Sequence, residues 1–312
     1  MASLFPALVV SLVGLVAQAA AQSGPRPDPF ADPKNDPYNP LKYIPSNELT
    51  AVGFSFILII AILQTWCIKR WGGKWMCAMP IAAYCFALGI SFRFGLAKNP
   101  QNKTIYILQS LFVLLSPCGF IAADYVLLGR IAGHLNAGQY LLIPARRITV
   151  VFVLSDVITF LIQAGGGGIS ASADTASKKD LGSKVFLVGL AAQLCSFLAY
   201  TGIFLLFLYR VWKHQPKTWK KDENKDWANR WTTLAIALGI SCVGILVRSV
   251  FRTVEMSEGF GGPLTTTEYW FYALDLLPLF IAIAVYVPFW PGRFIPGDQP
   301  SFDSIPLSDR EA

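Results

Sequence analysis

The chain has 312 residues, of which 54% are hydrophobic and 14% charged, and its mean hydropathy is +0.48. Soluble domains carry about 25% charged residues, so the composition excludes a water-soluble enzyme and points to lipid. The 26 Lys and Arg exceed the 19 Asp and Glu, for a net charge of +7. They lie in short segments between apolar runs, where they orient a membrane protein rather than bind nucleic acid.

Residues 1–21 are apolar and close on Ala17-Gln18-Ala19-Ala20-Ala21, the small-residue pattern of a signal-peptidase site, and read as a cleaved signal peptide. Their first residues lack Lys and Arg, which leaves an uncleaved extra span as the alternative. Residues 22–47 form an extracellular tail. Its six prolines between positions 22 and 42, set among Asp, Asn and Gly, predict an exposed, disordered segment.

A transmembrane helix needs about 20 predominantly apolar residues, and seven stretches qualify, at about 48–68, 75–95, 104–128, 148–164, 185–208, 231–251 and 269–290. The predicted fold is therefore all-α, a seven-helix membrane domain over 48–290 followed by a tail at 291–312. With the N-terminus outside, the inner segments hold 15 Lys and Arg and the outer segments nine. The positive-inside rule then places the N-terminus outside and the C-terminus in the cytoplasm. The sequon Asn102-Lys103-Thr104 falls outside as a glycan acceptor. The outer loop 165–184 opens with four glycines, Gly165 to Gly168, and reads as flexible.

Several chemistries drop out. All fourteen lysines lie in tails, loops or loop edges, so no span offers a Schiff-base lysine for retinal. The two histidines, His134 and His214, read as loop residues, and the six cysteines show neither paired nor metal-ligand spacing, so no metal site or disulfide framework is legible. No phosphate-binding G-x-x-x-x-G-K-[ST] loop occurs. The sequence thus implies no cofactor and no catalysis, and leaves a transporter, a receptor or a structural membrane protein.

Ionisable residues within spans are expensive and mark candidate sites. Arg93 lies near the outer end of the second span and Gln109 near the outer start of the third. Asp156 is midway along the fourth, with Gln163 further out, and Gln193 and Asp275 lie about two turns inside the fifth and seventh. Arg248, Arg252 and Glu255 follow one another four and three residues apart, on one face of the sixth helix. One reading pairs these groups as interhelical glue, Arg248 or Arg252 with Asp275 and Arg93 with Asp156. The other has the same residues lining a polar cavity that holds a lipid headgroup. Asp124, placed at the inner end of the third span, reads as interfacial.

Particular blocks carry a family likeness: Tyr43-Ile44-Pro45-Ser46; Gln109-Ser110 with Pro117, Ala122-Ala123, Tyr125 and Gly129-Arg130; Asp156 through Gly167; and above all Arg248-Ser249-Val250-Phe251-Arg252-Thr253-Val254-Glu255 with Gly259, Glu268, Tyr272, Asp275 and Pro278. Over residues 43–292 the chain resembles the fungal lipid-translocating exporter family, the aminocholesterol-resistance-like seven-span proteins. The resemblance implies seven helices, a plasma-membrane location, export of sphingoid long-chain bases and resistance to toxic lipids or drugs, with one branch linked to porphyrin uptake. The chain departs from the family pattern where Phe86, Ala87 and Leu88 replace an acidic residue before Arg93, and where Trp290-Pro291-Gly292 replaces His-Pro-Gly. The first departure leaves Arg93 without an in-helix partner.

A sphingoid base joins one hydrocarbon chain to an ammonium head with hydroxyls. Moving it needs a carboxylate, offered by Asp156 or Asp275, and hydrogen-bonding groups, offered by Gln109, Gln163 and Gln193. The partners expected on this reading are membrane lipids and the amphiphilic substrate. The alternative is a seven-helix receptor or lipid sensor whose basic inner loop, 209–230, engages a cytosolic partner; topology and contact with anionic lipid explain the same charges.

Overall fold

The computed structural model describes residues 28–173, 175–219, 227, 230–259 and 262–295. The expected signal peptide, residues 22–27, most of the C-terminal tail and residues 220–226 of the basic loop lie outside them. Among the described residues the structure is helical and contains no strand. The main helices are α1 (Asn47–Trp71), α2 (Ala78–Lys98), α3 (Lys103–His134), α4 (Ala145–Ala171), α5 (Ala176–His214), α6 (Trp231–Ser257) and the shorter α7 (Leu277–Ala284).

Caps fix where these helices begin. The side chains of Ser46, Asn102 and Thr175 accept from the backbone N–H groups of Leu49, Ile105 and Lys178 at 3.4, 3.2 and 3.4 Å, satisfying donors that the first turn leaves free. Gly72 ends α1 in a left-handed conformation, φ 73°, with its N–H returned to the Ile68 carbonyl at 3.0 Å. Among the described residues six segments are long and apolar enough to cross a membrane. Their outward sides are apolar: Phe56, Ile59 and Ile62 on α1, Val151, Leu154 and Ile158 on α4, and Ile236, Val243 and Val250 on α6 are exposed. Such surface would be costly in water and is suited to hydrocarbon. The protein is a multi-pass membrane protein.

The expected seventh span, 269–290, is not one continuous α-helix. A turn at Glu268–Trp270 leads into a π-helical segment, Phe271–Leu276, then α7, and the chain turns again over 285–289. Pro278 has no N–H to give to an i→i−4 ladder. The Leu277 N–H instead reaches back to the Tyr272 carbonyl, five residues earlier. The widened turn carries Asp275 toward α6. π-segments of this kind concentrate at functional positions.

Two expected loops are also structured. The glycines at 165–168 continue α4 as helix to Ala171, so the flexible outer loop shrinks to a short connection before α5. They are a packing surface: a Cβ on Gly166 would lie 2.8 Å from the Gly182 carbonyl oxygen, and one on Gly182 would lie 2.7 Å from the Gly166 carbonyl oxygen. Small residues let membrane helices approach to backbone contact. The part of the Pro-rich tail within the described residues, 28–46, is ordered by Asx turns rather than disordered. Asp28, Asp32, Asp36 and Asn39 each accept from a backbone N–H two or three residues on, and Asn39 donates to the carbonyls of Pro33 and Tyr43. Gln101 ties this cap to the start of α3 by donating to Asp36 Oδ2 at 2.9 Å.

Candidate functional site

The intramembrane polar residues form two layers. The layer on the side of the Pro-rich tail, termed outer for the orientation expected from the sequence, begins with Arg93, 1% exposed, whose Nη2 donates to Glu268 Oε1 at 2.8 Å and to the Tyr43 hydroxyl at 3.0 Å. Glu268 also accepts from the backbone N–H of Ser46, at 3.0 Å to each oxygen. The guanidinium stacks over Phe271, 4.4 Å from the ring centroid. Phe271 also meets Arg252, whose guanidinium carbon lies 5.6 Å from the ring centroid. Arg252 makes a two-pronged contact with Asp275, Nε to Oδ1 at 2.7 Å and Nη2 to Oδ2 at 2.8 Å, and donates through Nη1 to Glu255 at 3.0 Å. Arg248 reaches Asp275 Oδ2 at 2.9 Å and donates to the Val113 carbonyl at 2.9 Å. Three guanidinium groups thus meet three carboxylates, so the layer is electrically balanced. Breaking such a buried set by removing one member is far costlier than its net stabilisation.

The Asp275 pairing expected from the sequence is present, and the Arg93–Asp156 pairing is not. Arg93 sits five residues from the outer end of α2, about 7.5 Å deep, whereas Asp156 lies fifteen residues from the outer end of α4, about 22 Å deep. α4 runs seven residues beyond the expected end of the fourth span, so Asp156 keeps its mid-helix position while the end that faces Arg93's level moves further away. Glu268 is the true partner of Arg93. It compensates for the missing acid within α2, where Phe86 instead packs against Arg248, 5.5 Å from ring to guanidinium carbon. Likewise Trp290, at the position where the resemblance implies His, donates its indole N–H to the Gly72 carbonyl at 2.9 Å and ties the turn at 285–289 to the end of α1.

The middle layer contains carboxylates without a cation. Asp124 lies ten residues before the end of α3, Asp156 eleven after the start of α4 and Ser241 ten after the start of α6, so all three share one depth. Asp156, 2% exposed, accepts at Oδ2 from the Tyr125 hydroxyl at 3.0 Å, and its Oδ1 has no hydrogen-bond partner. Further along the same face of α4, Gln163 donates to Gln193 Oε1 at 2.9 Å, leaving its own carbonyl oxygen unbonded. Thr159, Gln163 and Asp156 form the polar part of the buried α4 stripe. Gln109 is buried beside the outer layer's helix with its Oε1 unbonded.

Asp124 is wholly buried and not interfacial. α3 runs on to His134, six residues beyond the expected end of the span, which draws Asp124 inward. Its Oδ2 accepts from Ser241 at 2.7 Å and its Oδ1 from the Tyr286 hydroxyl at 2.8 Å, while Tyr200 donates to its main-chain carbonyl at 2.8 Å. Sequence reasoning missed Ser241, Tyr286 and Tyr200 because single hydroxyls in apolar runs look like ordinary packing. Their signal was the neighbouring acid. His134 and His214 end helices rather than lie in loops, and among the described residues no cluster of His, Cys, Asp or Glu could hold a metal ion.

An apolar groove of about 730 Å³ opens on the lipid-facing side between α5, α6 and α7, lined by Thr201, Phe204, Trp231, Ala235, Val243 and Pro278 among others. Asn102, the expected glycan acceptor, is the half-buried N-cap of α3.

Comparison with known proteins identifies relatives by sequence. Protein RTA1 of Saccharomyces cerevisiae is 32% identical over 219 residues, covering 68% of this chain and 65% of that protein. Protoporphyrin uptake protein 1 of the same species is 31% identical over 200 residues, 64% of this chain and 63% of its own. The sphingoid long-chain base transporter RSB1, also from Saccharomyces cerevisiae, is 25% identical over 252 residues, 70% of this chain and 64% of its own. The chain spans just under two thirds of the length of these relatives. No solved structure matches it. Residues 79–298 match the family described as RTA1 like protein, and the chain belongs to that family, the fungal lipid-translocating exporters.

Proposed function

We propose that the protein is a plasma-membrane translocator of a single-chain cationic amphiphile, a sphingoid long-chain base or a molecule of that class, and that it contributes to resistance to toxic lipids. It acts without catalysis, in a seven-span arrangement with the N-terminus outside, the C-terminus inside and a glycan on Asn102. The observation that carries this reading is Asp156: a buried carboxylate with one oxygen free and no cation in contact. All three intramembrane arginines are engaged elsewhere, by Glu268, Glu255 and Asp275. An ionised carboxylate in a dry interior without a counter-charge is strongly disfavoured; a substrate ammonium supplies that charge. Gln163 and Gln193 offer the neighbouring hydrogen bonds for hydroxyls on the head. The balanced outer layer, with Arg93, Arg248, Arg252, Glu255 and Asp275, frames the outward route, and the hydrocarbon tail remains in lipid. The printed name of one relative, a sphingoid long-chain base transporter, agrees with this substrate class.

The test is flux. The purified protein, reconstituted into liposomes, should move a labelled sphingoid base between leaflets, and Asp156→Asn should lower the rate at least tenfold while the protein remains folded and inserted. Unchanged flux in that variant refutes the role of Asp156. Saturable binding without flux in the wild type identifies the receptor reading instead.

A further inference from the structure

Asp124 has no place in the substrate pathway described above, yet it is the most completely buried carboxylate outside the arginine network. It is 0% exposed, and both of its oxygens accept from hydroxyls, Ser241 at 2.7 Å and Tyr286 at 2.8 Å. The titratable groups facing it are Tyr286, Tyr200 on α5, Cys242 on α6 and Tyr125 beside it on α3. Tyrosine and cysteine side chains are neutral at pH 7 when unperturbed. Among the described residues no guanidinium or ammonium reaches Asp124.

The choice of partners matters chemically. An arginine only donates, so a carboxylate held by arginine is locked in the ionised form. A hydroxyl both donates and accepts. Ser241 and Tyr286 therefore satisfy the carboxylate by donating to it, and one of them can turn to accept when the carboxyl gains a proton and becomes a donor. On a helix, the released Ser hydroxyl has a backbone carbonyl of the preceding turn to donate to. The site suits both protonation states, whereas the outer layer suits only one. Carboxylates of this kind inside membrane bundles mark proton pathways.

Asp124 also shares its depth with Asp156, and aromatic side chains join the two. Tyr125, which donates to Asp156, packs edge-on to Tyr200 at 4.5 Å between centroids, and Tyr200 in turn donates to the backbone carbonyl of Asp124. A change of charge at one carboxylate is therefore felt at the other through low-dielectric packing rather than through water.

We propose that Asp124, with Ser241 and Tyr286, is a proton-binding site, and that its occupancy couples movement of the substrate to the proton gradient. The coupling rests on the transport reading given above; the proton site does not. In each cycle the carboxylate takes one proton from one side of the membrane and releases it to the other. No other group is consumed.

Two measurements on the full chain separate these parts. Infrared difference spectra of the protein in lipid, taken across pH 5 to 9 as the range in which a perturbed carboxyl titrates, should show a protonated-carboxyl band that disappears with rising pH. Asp124→Asn should remove one component of that band, a component that Asp156→Asn leaves in place. Tyr286→Phe, which keeps the acid, should shift its midpoint, and serves if Asp124→Asn fails to fold. Absence of any titrating carboxyl band, or a band unchanged by Asp124→Asn, overturns the site. In liposomes, an imposed pH gradient should drive uphill accumulation of a labelled sphingoid base. Asp124→Asn should still equilibrate the base but lose the accumulation. Wild-type flux indifferent to the gradient overturns the coupling. A titrating Asp124 band together with no base flux at all refutes the transport reading and the coupling, and leaves the proton site standing.

Discussion

Removing Asp275 tests whether the outer layer is a single mechanical unit. Arg252 makes two parallel charge-assisted bonds to Asp275, at 2.7 and 2.8 Å, and Arg248 adds a contact at 2.9 Å. Hydrogen bonds between membrane helices average about 0.6 kcal/mol and reach about 1.7, while bonds to charged groups in soluble proteins contribute about 1.5–3 kcal/mol. Two bonds near the upper membrane value give roughly 3 kcal/mol. Glu255 still holds Arg252 after Asp275 is neutralised, which offsets part of the loss. The coupling energy between Asp275→Asn and Arg252→Gln in a double-mutant cycle should therefore be about 2–3 kcal/mol. Asp275→Asn alone should cost more, in the range of about 3–5 kcal/mol, because it strands the Arg248 guanidinium and leaves Arg252 with Glu255 alone. The assay is reversible unfolding of the purified protein in mixed micelles, with surface abundance in cells as a companion measurement. A coupling of about 0.6 kcal/mol or less would mean that the bidentate contact is no stronger than an ordinary interhelical hydrogen bond, and the layer would lose its status as a unit.

Three other outcomes are expected. Gly166→Ala and Gly182→Ala should each destabilise the α4–α5 seam by about 1–3 kcal/mol through overpacking, whereas Gly165→Ala, whose Cβ meets nothing within 4 Å, should be neutral or slightly stabilising; equal effects at 165 and 166, read by thermal unfolding, would remove the close approach as the cause. Single neutralisation of Arg248, Arg252 or Glu255 should reduce surface abundance and resistance to added sphingoid base more than neutralisation of Lys178 or Lys179, which are exposed in the first turn of α5; matching tolerance at both places would contradict a built site in α6. A C-terminal tag should be protected from protease in intact cells and a tag in the Pro-rich tail should be cleaved, and the reverse pattern would overturn the orientation.

What could be read from the sequence was set by hydropathy, and what could not was set by helix length. Six of the seven expected spans correspond to α1–α6, because runs of about 20 apolar residues have few alternatives in lipid. Apolar counting stops where polar residues begin, however, and α3, α4 and α5 all continue past that point: to His134, to Ala171 and back to Ala176. Each extension moved a site residue. Asp124 went from the interface to the interior, and Asp156 went from the reach of Arg93 to the depth of Tyr125. The glycine run misled for a related reason. Glycine weakens an isolated helix, so four in a row read as a loop, but against a facing glycine the same residues bring two backbones together and gain more from packing than they lose in propensity. The Pro-rich tail read as disordered because composition is blind to Asx turns, which need only the right Asp or Asn two or three residues before a free N–H.

The division of the polar residues into two layers carries a functional consequence that no list of intramembrane charges contains. Every arginine in the membrane is matched to an acid in the outer layer, so no positive charge remains for the carboxylates below it. Those carboxylates have only two ways to meet the cost of burial: to take up a proton or to take up a cation from outside. Asp124, with both oxygens already bonded to hydroxyls, has room for a proton and nothing larger. Asp156, with one oxygen unbonded and an amide, Gln163, on the same helix face, is the one proposed above to meet an ammonium head. If the proposed roles hold, two carboxylates at one depth, both isolated from arginine, make the chain an exchanger between a proton and a cationic lipid, and loss of either carboxylate should uncouple the two.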